Sequence, residues 1–318
     1  MSIAFVFAGQ GSQRPGMGED FYKNYPIFKD TIEKACANVR QVNDFDLKEL
    51  SFYGATDRLS DTQYTQPCMV AFAVGISKLL KEKGIAPAFS LGLSLGEYSA
   101  LYAADVIDED TVVKLVAKRG MFMKEAAAGM DVKMAAVLMT ERETVTDCCK
   151  KATDEFKGEK IVSAVNFNCP GQIVISGDSN AVDRACELLK EKGTKRIIEL
   201  NVSGPFHTQY MKPAGEKLAK EFSGVDFKEG CARMIFNCLG REKEYNEDIP
   251  TLLTRQVQSP VYLEDSIRYA YENGADTFVE IGPGNTISKF VKKTVPDAKV
   301  LSIDNTEDFE NAIKELKV

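Results

Sequence analysis

Residues 90–100 read SLGLSLGEYSA, with Ser94 placed between Gly92 and Gly96 in the pattern G-x-S-x-G. A short apolar run precedes the pattern, and a segment able to form a helix follows it. That setting suits a strand-to-helix turn sharp enough to expose the serine oxygen, a nucleophile elbow. A bare turn that happens to contain a serine is the competing reading. Chance supplies roughly 0.1 matches in a chain with these glycine and serine contents, and the strand-helix context favours the elbow. A helix N-terminus beneath Ser94 would also favour negative charge developing there. Serine needs a base within hydrogen-bond reach to become a strong nucleophile. The chain has one histidine, His207, so the base is His207 or it is not an imidazole.

Outward from the elbow, short apolar runs alternate with longer amphipathic ones, which predicts an α/β fold with a mostly parallel sheet. Strands are expected at residues 3–8, 88–92, 277–281 and 299–303. Helices are expected over 65–80, capped at Thr65 with Pro67 in the first turn, over 108–126, from 208 onward, and across 252–257. The middle of the chain reads strand 133–139, helix 141–155, strand 160–166, strand 172–176, helix 180–190 and strand 195–200. This β-α-β-β-α-β order is the split unit of ferredoxin-like folds. Residues 126–130 and 201–205 flank it as crossing points. The reading is therefore a large domain of residues 1–128 and 201–318, interrupted by a small subdomain at 129–200.

Composition narrows the function classes. In 318 residues, 44% are hydrophobic and 27% charged, as in soluble globular proteins. With 40 basic against 47 acidic residues the formal net charge is −7, so no basic nucleic-acid face is expected. No apolar stretch reaches the ~18 residues of a membrane helix. The start, MSIAFVFAGQGSQ, lacks a basic signal-peptide n-region and reads as a buried strand. The eight cysteines form no C-x-x-C pair, and a lone histidine leaves zinc little to bind. A reduced, cytoplasmic protein without a metal site is expected.

Two further stretches bear on the elbow. Phe7-Ala-Gly-Gln-Gly-Ser-Gln13 is a glycine-rich loop after the first strand. It fails as a dinucleotide fingerprint because Arg14 occupies the third glycine position, and it fails as a P-loop because Met17 follows Gly16. A plain strand-end turn would suffice there, but an oxyanion hole also needs such a loop. One N–H would come from it and one from Leu95, the residue after the nucleophile. Ser203-Gly-Pro-Phe-His-Thr208 puts His207 in an interrupted loop, where function concentrates. The chain order serine then histidine is that of α/β-hydrolases.

Taken together, FAGQGSQ (7–13), YTQPC (64–68), GLSLGEYSAL (92–101), KRGMFM (118–123), NFNCPGQIVISG (166–177), SGPFHT (203–208), RQVQSPV (255–261) and EIGPGN (280–285) resemble one family. It is the malonyl-CoA:acyl carrier protein transacylases, and the segments occur in family order along nearly the whole chain. The resemblance implies an α/β-hydrolase-like large domain with a ferredoxin-like small one. It implies Ser94 as the acylated nucleophile, His207 as its base, and Gln10 and Leu95 as oxyanion donors. On the substrate side it implies Arg119 on the malonyl carboxylate, and Gln256 and Phe206 are expected with it as substrate-binding residues. Gln256 sits where the family orients the histidine with a backbone carbonyl. The partners would be malonyl-CoA and acyl carrier protein, with no cofactor, and the protein a monomer. One departure stands out: Leu93 replaces the histidine that usually precedes the serine.

A buried malonyl carboxylate must be paired, and the planar fork of arginine suits it. On position alone, both Lys118 and Arg119 read as solvated charges late in a helix; only the family match moves Arg119 into the site. Met121, Phe122 and Met123 are near enough to help line the pocket, and the bulk of Phe206 should disfavour an α-methyl substituent. Lys190, Lys192, Lys195 and Arg196 form a basic turn that could receive an acidic carrier. Two rival functions remain open at this point: a serine esterase or thioesterase with a carboxylate behind His207, and a binding module that keeps the fold without the chemistry.

Overall fold

The computed structural model describes residues 1–200 and 204–317. Its strands in chain order are β1 (Ile3–Phe7), β2 (Phe89–Gly92), β3 (Val132–Leu138), β4 (Val162–Cys169), β5 (Gln172–Asp178), β6 (Arg196–Leu200), β7 (Arg233–Phe236), β8 (Arg241–Glu242), β9 (Val261–Tyr262), β10 (Thr277–Ile281) and β11 (Lys299–Ile303). They form two sheets. The larger has the order β11-β10-β1-β2-β7-β8, and all its pairings are parallel except β7 with β8.

Its central strand shows why the sheet is covered on both faces. In β1, Phe5 and Phe7 point into one apolar cluster, with Tyr98 and Val113. Ala4 and Val6 point into another, with Phe89, Leu91 and Phe278. A strand buried on both sides reads as a continuous apolar run, as IAFVF does. Truncating a wholly buried phenylalanine such as Phe7 should cost about 3–5 kcal/mol.

The second sheet has the order β6-β3-β5-β4-β9. Its first four strands run antiparallel to their neighbours, and β9 joins parallel to β4. Helices Arg142–Glu155 and Ser179–Glu191 pack on one face of it, through Val145, Ala152, Val182 and Leu189. All six elements expected between 133 and 200 are present in the expected order. The second expected crossing point, 201–205, lies largely outside the described residues.

Two helices start earlier than the sequence reading has them, and the one expected across 252–257 runs Ile249–Gln256 with Asp248 as its cap. The helix expected from Thr65 runs Thr62–Glu82, and Asp61 caps it by accepting from the Gln63 N–H. Pro67 therefore lies inside the helix. Thr65 is no cap: its hydroxyl donates back to the carbonyls of Leu59 and Asp61. Asp61 prevails because a carboxylate at the first turn satisfies a free N–H and complements the helix dipole. No helix among the described residues is long and apolar enough to cross a membrane.

Candidate active site

The carboxyl ends of β1, β2 and β10 open into a cavity of about 420 Å³, closed on the other side by the second sheet through Met134, Asn166 and Val174. A crevice at strand carboxyl ends is where open α/β sheets hold ligands.

The elbow is shaped by two close backbone approaches. A Cβ at position 92 would lie 2.2 Å from the Gly96 carbonyl carbon, and one at 96 would lie 2.2 Å from the Phe7 carbonyl oxygen. Both ends of the motif therefore need glycine. The turn holds Ser94 at φ 53°, in the left-handed region, where a non-glycine residue stores on the order of 1–3 kcal/mol of strain. Leu95 then takes the N-cap position of helix Gly96–Ala103, with no side-chain capping bond.

Ser94 Oγ lies 2.7 Å from His207 Nε2. On the far side of the ring, Nδ1 lies 2.9 Å from the Gln256 carbonyl oxygen. A carbonyl only accepts, so Nδ1 carries the proton and Nε2 presents a lone pair to the serine hydroxyl. Burial, aided by the charge of Arg119, pushes the His207 pKa down to about 4, against the weaker pull of backbone bonds from Gln256 and Ser259. The imidazole is thus neutral and ready to accept a proton at physiological pH. Its orienting partner is an amide carbonyl rather than a carboxylate, so a Ser-His-acid triad is not what holds this ring.

Arg119 reverses the expectation of a solvated charge: it is 1% exposed. On helix Glu109–Ala127 it shares the buried stripe with Val112, Val116 and Met123. Its Nη1 donates to Gln66 Oε1 at 2.7 Å, and its Nη2 donates to Gln256 Oε1 at 3.1 Å and to Ser94 Oγ at 3.2 Å. Tyr98 packs its ring 5.4 Å from the guanidinium carbon, and Nε has no partner among the described residues. Burial lowers the pKa, but a guanidinium starts so high that it stays charged. None of the salt bridges among the described residues involves it. Lys118, by contrast, is the surface charge expected, paired with Glu221.

Gln10 and Leu95 both line the cavity beside Ser94. The Gln10 side chain is held by the Thr62 hydroxyl, which donates to its Oε1 at 2.7 Å. Phe206 and Met123 line the same space, whereas Met121 and Phe122 do not. Gln256, expected among the substrate-binding residues, is wholly buried and outside the cavity wall. It acts on the site's own residues: besides His207 and Arg119, its Nε2 donates to the Ser94 carbonyl at 2.6 Å.

Sequence reasoning passed over Gln66, Glu97 and Asn237. Gln66 lies within YTQPC and Glu97 within GLSLGEYSAL, so both were in view without a role. Asn237 Oδ1 accepts from the Ser94 N–H at 2.7 Å. No local pattern marks it, because its function depends on a contact 143 residues away in the chain.

A strained serine on a buried, neutral histidine, beside a buried cation with no carboxylate partner among the described residues, equips the cavity for acyl transfer. The chain belongs to the acyl transferase domain family, whose model matches residues 4–312, and within it to the malonyl CoA-acyl carrier protein transacylases. It is 40% identical to the malonyl CoA-acyl carrier protein transacylase of Bacillus subtilis, over 99% of this chain and 97% of that one. The crystal structure of the enzyme from Streptococcus pneumoniae is 44% identical, with TM-score 0.91 over 99% of this chain and 100% of that one. A malonyl-transacylase solved in complex with its type II PKS acyl-carrier protein is 35% identical, with TM-score 0.91 over 99% and 100% of the two chains.

Proposed function

We propose that this protein moves a malonyl group from malonyl-CoA to the phosphopantetheine thiol of an acyl carrier protein, through an ester on Ser94, to supply fatty acid synthesis. The observation that carries this reading is Arg119, a buried cation with no carboxylate partner among the described residues and bonded to Ser94 itself. Malonyl supplies the missing carboxylate; acetyl does not.

In the first half-reaction Ser94 Oγ attacks the thioester carbonyl carbon as its proton passes to His207 Nε2. The Gln10 and Leu95 N–H groups receive the oxyanion, each such donor typically being worth ~3 kcal/mol. Collapse breaks the C–S bond, and the coenzyme A thiolate leaves with the proton from His207. In the second half, His207 takes the proton of the carrier thiol, whose sulfur attacks the malonyl ester. Ser94 Oγ leaves and recovers the proton. Every step uses side chains and backbone of this chain, so the reading includes no cofactor.

The same reading takes residues 1–128 and 201–318 as an α/β-hydrolase-like catalytic domain and 129–200 as a ferredoxin-like subdomain roofing the cavity. The β6-β3-β5-β4 order and the two helices on one face support the latter. It places the protein in the cytoplasm, as a monomer. The esterase alternative loses ground because His207 Nδ1 faces a carbonyl. Intact mass after mixing with malonyl-CoA or acetyl-CoA tests the proposal. One malonyl group should appear on Ser94, absent in Ser94→Ala; a label elsewhere, or none, defeats it.

A further inference from the structure

At φ 53° Ser94 would relax if released, and relaxation would carry Oγ away from both His207 and Arg119. A buried amide is central to the restraint. Asn237 Oδ1 accepts from the Ser94 N–H at 2.7 Å, and Nδ2 donates to the Gly92 carbonyl at 2.7 Å. A rigid planar group thus grips the elbow on both sides of Leu93. Gln256 completes the hold, donating to the Ser94 carbonyl at 2.6 Å and lying 3.4 Å from the same Asn237 oxygen.

Asn237 is itself pinned. It follows β7, the neighbour of β2, and is entirely buried. Its N–H donates to Glu97 Oε2 at 2.6 Å, and its carbonyl accepts from the Tyr262 N–H at 2.9 Å. Glu97 is also wholly buried, and its other oxygen, Oε1, has no partner among the described residues. Leaving a buried carboxyl oxygen unpaired is costly, so the acid is kept for the bond it does make. Burial pushes its pKa up to about 8, which leaves Glu97 neutral through most of the physiological range.

We propose that Asn237 is a positioning residue for the nucleophile, anchored by Glu97, a role that rests on the acyl-transfer reading of Ser94. Asn237 bonds directly to neither Arg119 nor Gln66 and reaches the guanidinium only through its long contact with Gln256, so its main effect is on the rate of attack rather than on substrate binding. Misplacing a reacting atom by about 1 Å costs on the order of 10²-fold.

The test compares Asn237→Ala and Asn237→Asp with wild type in single-turnover acylation by malonyl-CoA. Intact mass gives the labelled fraction at plateau, and the concentration dependence of the rate separates KM from the maximal rate. Asn237→Ala should slow acylation by on the order of 10²-fold, with KM within about threefold and one malonyl per chain at plateau. Asn237→Asp, which keeps an oxygen for the Ser94 N–H, should recover part of the loss. The proposal fails if Asn237→Ala reacts at the wild-type rate or if Asn237→Asp is no faster than Asn237→Ala. It also fails if the variants give a reduced plateau reached at the normal rate, the mark of partial unfolding. Wild type that takes no malonyl on Ser94 would instead overturn the acyl-transfer reading.

Discussion

Arg119 Nη2 donates to Ser94 Oγ at 3.2 Å, so a buried guanidinium rests directly on the serine oxygen. Gln66 and Gln256 accept two more of its N–H groups. Neutral amides hold the guanidinium in place without cancelling its charge. The positive field near Ser94 opposes protonation of His207 and favours oxygen anions.

Arg119→Ala should therefore lose malonyl transfer by ~10⁴-fold or more, as expected when a site built for a polar contact loses it. Acetyl transfer should hold or improve, because the cavity left behind is largely apolar. Arg119→Lys should rescue in part, since an ammonium cannot make two parallel bonds. Values of kcat/KM for malonyl-, methylmalonyl- and acetyl-CoA decide the matter. Phe206 in the cavity wall predicts poor use of methylmalonyl-CoA by wild type. Equal loss of malonyl and acetyl transfer in Arg119→Ala would make Arg119 structural.

The base should reveal itself by its pH dependence. With His207 depressed to about 4, the imidazole stays unprotonated well into acid. Acylation measured as kcat/KM should be flat from pH 8 to about 5 and fall only as the pH nears that value. His207→Ala should slow it by ~10²–10⁴-fold at neutral pH. An acid limb centred near the ordinary histidine value would mean the ring is far more solvated than its 4% exposure indicates.

Much of this site was readable from local pattern, and the limits of that reading are physical. Ser94 was legible because the elbow needs glycine at both 92 and 96, and steric need leaves a fixed spacing in sequence. His207 was legible because it has no competitor. Arg119 was misread on position alone, although its phase with Val112, Val116 and Met123 places it in the apolar stripe of its helix. A charge in such a stripe is the signal that charge statistics for helix ends obscure. Gln66, Glu97 and Asn237 act through contacts across the fold, and a neutral amide bonded to distant backbone leaves no periodicity or spacing to read.

Carrier recognition should depend on the basic turn at Lys190, Lys192, Lys195 and Arg196. All four are exposed, none joins a salt bridge among the described residues, and Arg196 opens β6, whose far end at Leu200 lines the cavity. Reversing Lys195 and Arg196 to glutamate should raise KM for the carrier several-fold at low salt, less at high salt, because exposed charges are screened. Acylation by malonyl-CoA should not change. Carrier kinetics that match wild type at every ionic strength would move the docking surface elsewhere.

Glu97 makes a prediction about stability. Its pKa is raised from 4.5 to about 8 in the folded protein, so between those values the native state binds a proton that the unfolded chain has released. Stability from this group is complete below pH 4.5 and is lost as pH rises toward 8. His207 acts in the opposite sense: its depressed pKa means stability is lost as pH falls from 6.5 toward 4. Above pH 6.5 only the Glu97 slope of the two remains. Glu97→Gln keeps an oxygen for the Asn237 N–H and removes the titration. The variant should gain Tm relative to wild type steadily from pH 5 to 8, with the difference levelling off beyond. Paired melting curves across that range check this. A difference in Tm that does not vary with pH would show that Glu97 ionises in the folded protein near its ordinary value, and that its carboxyl reaches a partner or water in solution.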